Sequence, residues 1–235
     1  MHIQNRYHTK FVYTKTAINK KPQISIGAMN TTINRRTTEQ RQALKQGLLN
    51  ELYAPHGEFK KSPLYIPDAC TKIIFGEGNP DAAIMFIGEA PGKVEDEEGR
   101  PFVGPSGQLL NRALERAGLQ RSDVFITNIV KCRPPNNRTP SLHELKTGRD
   151  FMLLKQIHII QPAVICTLGS AALKGLLNGP TEKLYKITEI HGQVISCRDY
   201  TLLPTYHPAY ILRNRAKTQL FFDDIQKLVK LAEIA

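Results

Sequence analysis

The chain has 235 residues, with 32 Lys and Arg against 21 Asp and Glu, and a formal net charge of +11. Hydrophobic residues make up 41% of it, and no apolar run approaches the roughly 18 residues that a membrane span requires. This composition argues against a membrane protein and indicates one globular domain with an appendage. The four cysteines form no CxxC pair, so we expect reduced thiols and a cytoplasmic protein.

The basic charge is concentrated at the start of the chain. Residues 1–47 contain nine Lys and Arg against one acid, Glu39, which accounts for +8 of the +11. Residues 1–36 also lack helical or strand periodicity, and we predict a flexible basic arm there. Three interpretations of this arm stay open: a DNA-contacting tail, a segment upstream of a true start at Met29, or an organelle-targeting presequence.

Residues 37–235 alternate between helix and strand patterns. Thr37 and Gln40 have capping-box spacing and begin a helix, and Ser141 and Glu144 begin another that is predicted to run to about Ile160. Further helices are predicted over 107–119, 170–177 and 217–234, buried strands over 82–88, 124–130, 163–169 and 201–208, and a hairpin around His191-Gly192 over 183–200.

Buried strands that alternate with helices indicate a parallel sheet covered on both faces. We predict a three-layer α/β/α sandwich around a central, mainly parallel four-stranded sheet. Ligands of such sheets bind beyond the carboxyl ends of the strands. Three unusual loops begin at those ends, at 88–104, 128–137 and 206–214, and we expect them to converge on one site.

The loop GEAPGKVEDEEGRPFVG (88–104) offers an acid at Glu89, a small residue at Ala90 and an aromatic ring at Phe102. It is not a phosphate loop, because no Gly-Lys-Ser/Thr follows. Phe102 suits stacking on a planar ring in a pocket. Its spacing is also compatible with a plug that fixes the loop to the core.

The other two loops offer polar groups at strand ends. The amide of Asn128 carries donors and an acceptor that can read the edge of a base, and His207 can donate a hydrogen bond to a developing anion. Taken alone, an asparagine at a strand end is more often a turn former, and a single histidine is more often structural. The stretch AYILRNR after Pro208 mixes apolar residues with Arg213 and Arg215, as in loops that push into a duplex.

Together these segments resemble family 4 uracil-DNA glycosylases. The similarity spans roughly 73–234 and rests on FGEGNPDA, GEAPG, EDEEGRPFVGPSGQLLNRAL, TNIVKCRPPNNRTP, LLKQI and HPAYILRN, in matching order and spacing. It implies a uracil-DNA glycosylase-like catalytic domain over 37–235 and a monomeric enzyme of base-excision repair. Uracil-containing DNA would be its partner, and a flipped deoxyuridine would lose its base by hydrolysis of the N-glycosidic bond.

The resemblance also implies roles for individual residues. Glu89 and Ala90 would form the pocket floor and position the attacking water, and Asn137 would help to hold that water or the sugar. Phe102 would stack on the uracil ring and Asn128 would read its polar edge. His207 would stabilise the departing uracil anion. Residues 209–213 would form the wedge that fills the vacated stack, with DNA contacts from Tyr210, Ile211, Leu212 and Arg213.

The chain departs from the family at its iron–sulfur cluster, which takes four cysteine ligands. Cys132 stands at one ligand position, but the expected upstream CxxC falls near Lys61 and Leu64, and the fourth position is Gly148. One matched thiolate cannot hold a [4Fe–4S] cluster, so we predict no metal and no cofactor. Cys132 is then expected to be a plain buried thiol, and Cys70 an isolated one.

Two alternatives to uracil excision stay open. One is a DNA-binding module that keeps the fold without turnover, and the other is a glycosylase for another deaminated base such as hypoxanthine. Covalent uracil-binding relatives carry a basic insert after the second strand. No such insert occurs between Lys131 and Pro140, which favours hydrolysis with turnover.

Overall fold

The computed structural model describes residues 37–177 and 186–234. The predicted arm, 1–36, and the first residues of the predicted hairpin lie outside the described residues. Within the described part, no helix combines the length and apolar character needed to cross a membrane.

The middle layer is a six-stranded sheet. Its strands in chain order are β1 (Glu77–Gly78), β2 (Ile84–Gly88), β3 (Phe125–Asn128), β4 (Val164–Leu168), β5 (Ile195–Ser196) and β6 (Thr201–Thr205). The spatial order is β1-β3-β2-β4-β6-β5, in which β3, β2, β4 and β6 are parallel and the short edge strands are antiparallel. The predicted parallel four-stranded centre is confirmed. The edge strands β1 and β5 were not predicted, because two residues are too few to show a period.

Helices cover both faces of the sheet. They are α1 (Thr38–Tyr53), α2 (Lys93–Glu98), α3 (Pro105–Arg116), α4 (Leu142–Gly148), α5 (Leu154–Ile160), α6 (Ser170–Leu177), α7 (Ile187–Ile190), α8 (Pro208–Arg213) and α9 (Thr218–Ile234). Both predicted capping boxes form, at Thr37 with Gln40 and at Ser141 with Glu144. Each box supplies partners to main-chain N–H groups that the first turn of a helix leaves unpaired.

The core lies in two layers, because successive strand residues point to opposite faces. On one face Met85 and Ile87 pack with residues of α1, α4 and α6. On the other face Ile84 and Phe86 pack with α3, α8 and α9. This is the predicted three-layer sandwich.

Two element predictions were wrong. The helix expected from Ser141 to about Ile160 is interrupted by a π-helical turn, Arg149–Leu153, between α4 and α5. The segment around His191-Gly192 is not a hairpin turn, because α7 precedes it and β5 follows. The hairpin is instead formed by β5 and β6, and Cys197 N–H donates to Tyr200 O at 3.0 Å in its turn.

The expectation of four free thiols was also wrong. Cys70 and Cys132 form a disulfide with a Cα–Cα distance of 5.4 Å, across 62 residues of sequence. Both side chains are buried. The loop that precedes β1 folds back onto the segment after β3, where Ile74 N–H donates to Lys131 O at 2.8 Å. A long sequence separation conceals such a pairing until the loop's path is known.

Candidate active site

The carboxyl ends of the central strands meet at one edge of the sheet. Gly88 ends β2 and is paired in register with Asn128, the last residue of β3. A Cβ atom at position 88 would overlap both Asn128 Oδ1 and the Phe102 ring, so only glycine permits this approach. The ring centroids of Phe102 and His207 are 5.8 Å apart. The structure thus brings Asn128, Phe102 and His207 into one cluster.

Asn128 is almost fully buried, with 2% of its surface exposed. Its Oδ1 atom has no hydrogen-bond partner among the described residues. Leaving a buried carbonyl oxygen unpaired costs about 1–3 kcal/mol, and native structures seldom accept that cost without a reason. An acceptor held in this state is suited to an N–H donor supplied by a ligand.

Phe102 is held in an uncommon backbone conformation, with φ of 51°. Arg121 fixes this turn from below: its Nη1 donates to Phe102 O at 3.1 Å, and its Nη2 donates to Pro101 O. Glu95 fixes the next residues, because its Oε1 accepts from the N–H of Val103 at 3.1 Å and of Gly104 at 2.9 Å. The ring itself is 5% exposed and joins the α3 side of the core.

His207 lies just after β6 and caps α8. Its Nδ1 accepts a hydrogen bond from Ala209 N–H at 3.1 Å, so the proton of the neutral ring is on Nε2. Burial and, to a smaller extent, the charge of Arg213 lower the pKa of His207 to about 4, and Glu95 opposes the shift. The residue is therefore a neutral donor through Nε2 over most of the pH range.

Glu89 and Ala90 follow β2 and are both half-buried. Burial raises the pKa of the Glu89 carboxyl above its usual value. The main chain here is tied to the next loop, because Ile129 N–H donates to Gly88 O and Val130 N–H to Glu89 O, each at 3.0 Å. These bonds extend the β2–β3 pairing past the strand ends and make a rigid floor.

Lys131 is fully buried beneath this floor. Its Nζ lies 2.6 Å from Asn128 O, from Thr127 Oγ1 and from Gln156 Oε1, and 3.3 Å from Phe75 O. Burial lowers the pKa of Lys131 well below its usual value. Lys131 thus has four acceptors around it and no ion pair among the described residues, and it fixes the main chain at Asn128.

The remaining predicted site residues lie further out. Asn137 is exposed, with φ of 52°, and its Oδ1 accepts from Arg133 Nε at 2.8 Å. The structure does not bring it into the cluster. In α8, Tyr210 stacks on Tyr206 with centroids 5.2 Å apart, and Ile211 is 1% exposed in the core.

The burial of Ile211 corrects the expectation that this residue contacts DNA, since its side chain is packed in the core. Leu212, 36% exposed, and Arg213, also exposed, are the most exposed members of the predicted wedge, and Tyr210 is half-buried.

The residues present do not fit a four-thiolate cluster. Cys132 is bonded to Cys70, and a Cβ atom at position 148 would overlap Ile129 O, so the family's fourth ligand position has no room for a cysteine. Leu64, in the region of the expected CxxC, is packed with 4% of its surface exposed. Among the described residues, no group of three or more His, Cys, Asp or Glu could hold a metal ion.

Sequence reasoning missed the residues that support the site. Glu95 is one of four acids in KVEDEE, and nothing in a single sequence indicates which of them turns inward. Arg121 and Lys131 resemble surface residues of a basic protein until their carbonyl partners are known. A lysine inside the buried pattern NIVKC was the one available signal for Lys131.

Comparisons with known proteins agree with this arrangement. Residues 75–230 match the sequence model of the family described as the uracil DNA glycosylase superfamily. A type-4 uracil-DNA glycosylase of Thermotoga maritima is 46% identical over 160 residues, which cover 67% of this chain and 81% of that protein. The corresponding protein of Sulfurisphaera tokodaii is 44% identical over 69% of this chain and 76% of its own length. One of Pyrobaculum aerophilum is 45% identical over 64% of this chain and 78% of its own length. The chain therefore belongs to the uracil DNA glycosylase superfamily, among its type-4 members.

Proposed function

We propose that this protein is a monofunctional uracil-DNA glycosylase that hydrolyses the N-glycosidic bond of deoxyuridine in DNA and leaves an abasic site for base-excision repair. The observation that carries the proposal is the unpaired, buried Oδ1 of Asn128, beside an aromatic ring and a neutral histidine donor. The similarity to proteins named type-4 uracil-DNA glycosylase, at 46% and 44% identity, supports it.

Recognition of uracil follows from the orientation of the Asn128 amide. Oδ1 accepts a hydrogen bond from the N3–H of uracil, and Nδ2 donates to O4. Cytosine carries a lone pair at N3 and an amino group at C4, so it meets the same amide with acceptor against acceptor and donor against donor. Phe102 stacks on the face of the base once the nucleotide is flipped out of the duplex.

Cleavage leaves negative charge on uracil and positive charge on the sugar. Nε2–H of His207 donates to O2 as that charge develops, and because the ring is already neutral it needs no proton transfer beforehand. One such donor contributes about 3–4 kcal/mol to a transition state. Water adds at C1′ on the opposite side and gives up a proton to solvent, and the bonding electrons leave with the base, which takes up a proton after its release.

Glu89 and Ala90 form the floor and position the attacking water, with Asn137 assisting at the water or sugar. The raised pKa of Glu89 suits a carboxyl close to this low-dielectric centre. Asn137 reaches this position only if Arg133 releases its Oδ1 when DNA binds. Leu212 and Arg213 of α8 enter the stack beside the flipped nucleotide.

The proposed enzyme works as a monomer on uracil-containing DNA, without an iron–sulfur cluster. The absence of a ligand set around Cys132 supports the last point. Elemental analysis for iron and the absorption spectrum near 400 nm test it. A broad absorption there, with stoichiometric iron, would contradict the proposal.

One assay tests the activity. Duplexes with a single U or a single hypoxanthine are incubated with the protein and then heated in alkali, which breaks the strand at an abasic site. Strand cleavage with U alone supports the proposal. Cleavage with hypoxanthine alone would assign another base, and tight binding without cleavage would assign a module that does not turn over.

A further inference from the structure

A groove of about 550 Å³ lies between α3 and the segment that runs from α8 into α9. Its lining includes Arg112 and Arg116 of α3, Leu212 of α8, and Arg215 and Phe222 beyond it. All three arginines are exposed. The groove therefore presents three guanidinium groups above an apolar floor, and no acid lines it.

These arginines differ from most others in the described part of the chain. Arg100 and Arg121 pair with Glu77, and Arg138 pairs with Glu144. Arg112, Arg116 and Arg215 have no carboxylate within ion-pair distance among the described residues. Like charges held together without counter-charges repel one another, so this arrangement favours an anionic ligand.

Arg116 is held in place within the wall of the groove. Its Cζ lies 5.2 Å from the centroid of the Phe222 ring, a cation–π contact that leaves the N–H groups of the guanidinium available. Arginine presents its donors in a planar fork that matches two oxygens of a phosphate. The groove is thus suited to phosphodiesters, which recur at regular spacing along a strand.

The groove is continuous with the proposed DNA surface. Leu212 belongs both to its lining and to α8, the helix that His207 caps. The groove therefore lies along the same helix that carries the predicted wedge residues Leu212 and Arg213.

We propose that the groove formed by Arg112, Arg116 and Arg215 binds the sugar–phosphate backbone of DNA beside the flipped nucleotide. This inference rests on the proposed function, because it takes the flipped base as its reference point. It adds a phosphate-binding site on α3 and the α8–α9 junction, which the site residues at the strand ends do not include.

The test is a double variant, Arg112→Gln/Arg116→Gln, which removes two charges and keeps part of each aliphatic stem over the apolar floor. The matched control is Arg198→Gln/Lys230→Gln, with the same loss of charge. Arg198 lies in the β5–β6 turn, at the opposite end of β6 from His207, and Lys230 lies 12 residues along α9 from Thr218, about 18 Å away. Thermal unfolding establishes that each variant is folded.

Affinity is measured by fluorescence anisotropy on a duplex that carries one stable abasic analogue, at KCl concentrations from about 50 to 200 mM. Two lost phosphate contacts flatten the slope of log Kd against log[KCl] by about 2 for the groove variant. The control is expected to keep the wild-type slope. Arg215→Gln, outside α3, is expected to flatten the slope by about 1, which guards against a local defect of the double variant.

A slope for the groove variants equal to that of wild type would overturn the inference and leave the groove to another anion, such as an acidic peptide. Single-turnover uracil release at saturating protein separates this failure from failure of the proposed function. The control variant is expected to release uracil within twofold of the wild-type rate, and the groove variants to approach that rate only at higher protein concentrations. A wild-type protein that binds the duplex with the expected salt dependence but releases no base contradicts the enzyme assignment alone.

Discussion

Lys131 Nζ lies 2.6 Å from the main-chain oxygen of Asn128, so a buried lysine side chain holds the residue that is proposed to read the base. The same Nζ contacts Gln156 Oε1, also at 2.6 Å, and Gln156 Nε2 donates to Tyr53 OH at 2.8 Å. Through this chain of bonds the end of β3 is anchored to α5 and to α1. The position of Asn128 therefore depends on residues that never touch the substrate.

Lys131→Met keeps most of the side-chain volume and removes every donor. The carbonyls of Phe75 and Asn128 lose this partner, and we expect a loss of about 3 kcal/mol in the free energy of unfolding. We also expect kcat for uracil release to fall more than KM rises, since Asn128 is displaced. Urea unfolding and steady-state kinetics measure the two effects. Lys155→Met, on the exposed side of α5, is the control, and equal behaviour of the two variants would remove Lys131 from the account.

The depressed pKa of His207 predicts how stability changes with pH. The unfolded residue titrates near its usual pKa of 6.5 and the folded one near 4. Between these values the unfolded chain binds more protons than the folded one, so the free energy of unfolding rises with pH from about 4 to 6.5. Above pH 6.5 the ring is neutral in both states, and His207 causes no further change. Urea unfolding at intervals across this range measures the rise. His207→Gln is expected to make the dependence of stability on pH shallower. An unchanged dependence would show that the pKa of His207 is not lowered in the folded protein.

Uracil release should report the same neutral ring. The pH profile of the wild-type single-turnover rate is expected to show no step near pH 6.5 that is due to His207. The profile of His207→Gln should therefore have the same shape in this range. His207→Ala, which removes the donor to O2, is expected to lower the rate at least tenfold at every pH from 6 to 8. A rate that requires protonation with an apparent pKa near 6.5 would contradict this mechanism.

The two neighbouring residues of α8 should respond in opposite ways. Ile211→Ala is expected to lower the free energy of unfolding by about 2–5 kcal/mol, since it empties a buried position. Leu212→Ala is expected to leave stability within about 0.5 kcal/mol and to slow excision from duplex more than from single-stranded DNA. Urea unfolding and excision rates on both substrates separate the two roles. If Ile211→Ala were as stable as the wild type but slowed excision from duplex DNA, Ile211 would instead be a DNA-contacting residue.

The Cys70–Cys132 disulfide closes a loop of 62 residues. The loop-entropy relation gives about 4 kcal/mol of stabilisation for a loop of this length. Thiol titration in denaturant should find two reactive thiols, Cys166 and Cys197, and four after reduction. Cys70→Ser should lower the urea midpoint in the absence of reductant, whereas Cys197→Ser should not. Four reactive thiols before reduction would contradict the cross-link.

Much of the fold could be predicted from the sequence because long elements carry strong periods. Four buried strands and the capping boxes at Thr37 and Ser141 are local patterns, and each occurs as expected. The two-residue strands β1 and β5 have no period and depend on long-range pairing. The π-helical turn Arg149–Leu153 also has no local signature, because it differs from an α-helix only in its hydrogen bonds.

The residues of the site likewise separate into those with a local sequence signal and those that depend on long-range contacts. Asn128, Phe102 and His207 follow predicted strands or stand in marked loops, so their convergence follows from the topology of a parallel sheet. Arg121 and Lys131 act through carbonyl groups, whose positions a sequence does not give. The disulfide was missed because Cys70 lies in an irregular loop, and the burial of Ile211 because a six-residue helix allows either face to be buried.

The most direct test of the account is uracil release from a duplex with one U, compared between the wild type and Asn128→Ala under single-turnover conditions. We expect the wild type to release uracil and to leave matched duplexes with C or T intact. Asn128→Ala is expected to fold normally and to release uracil at least tenfold more slowly, because the acceptor for N3–H is gone. Equal rates for the two proteins, or no release by the wild type, would contradict the assignment of this site.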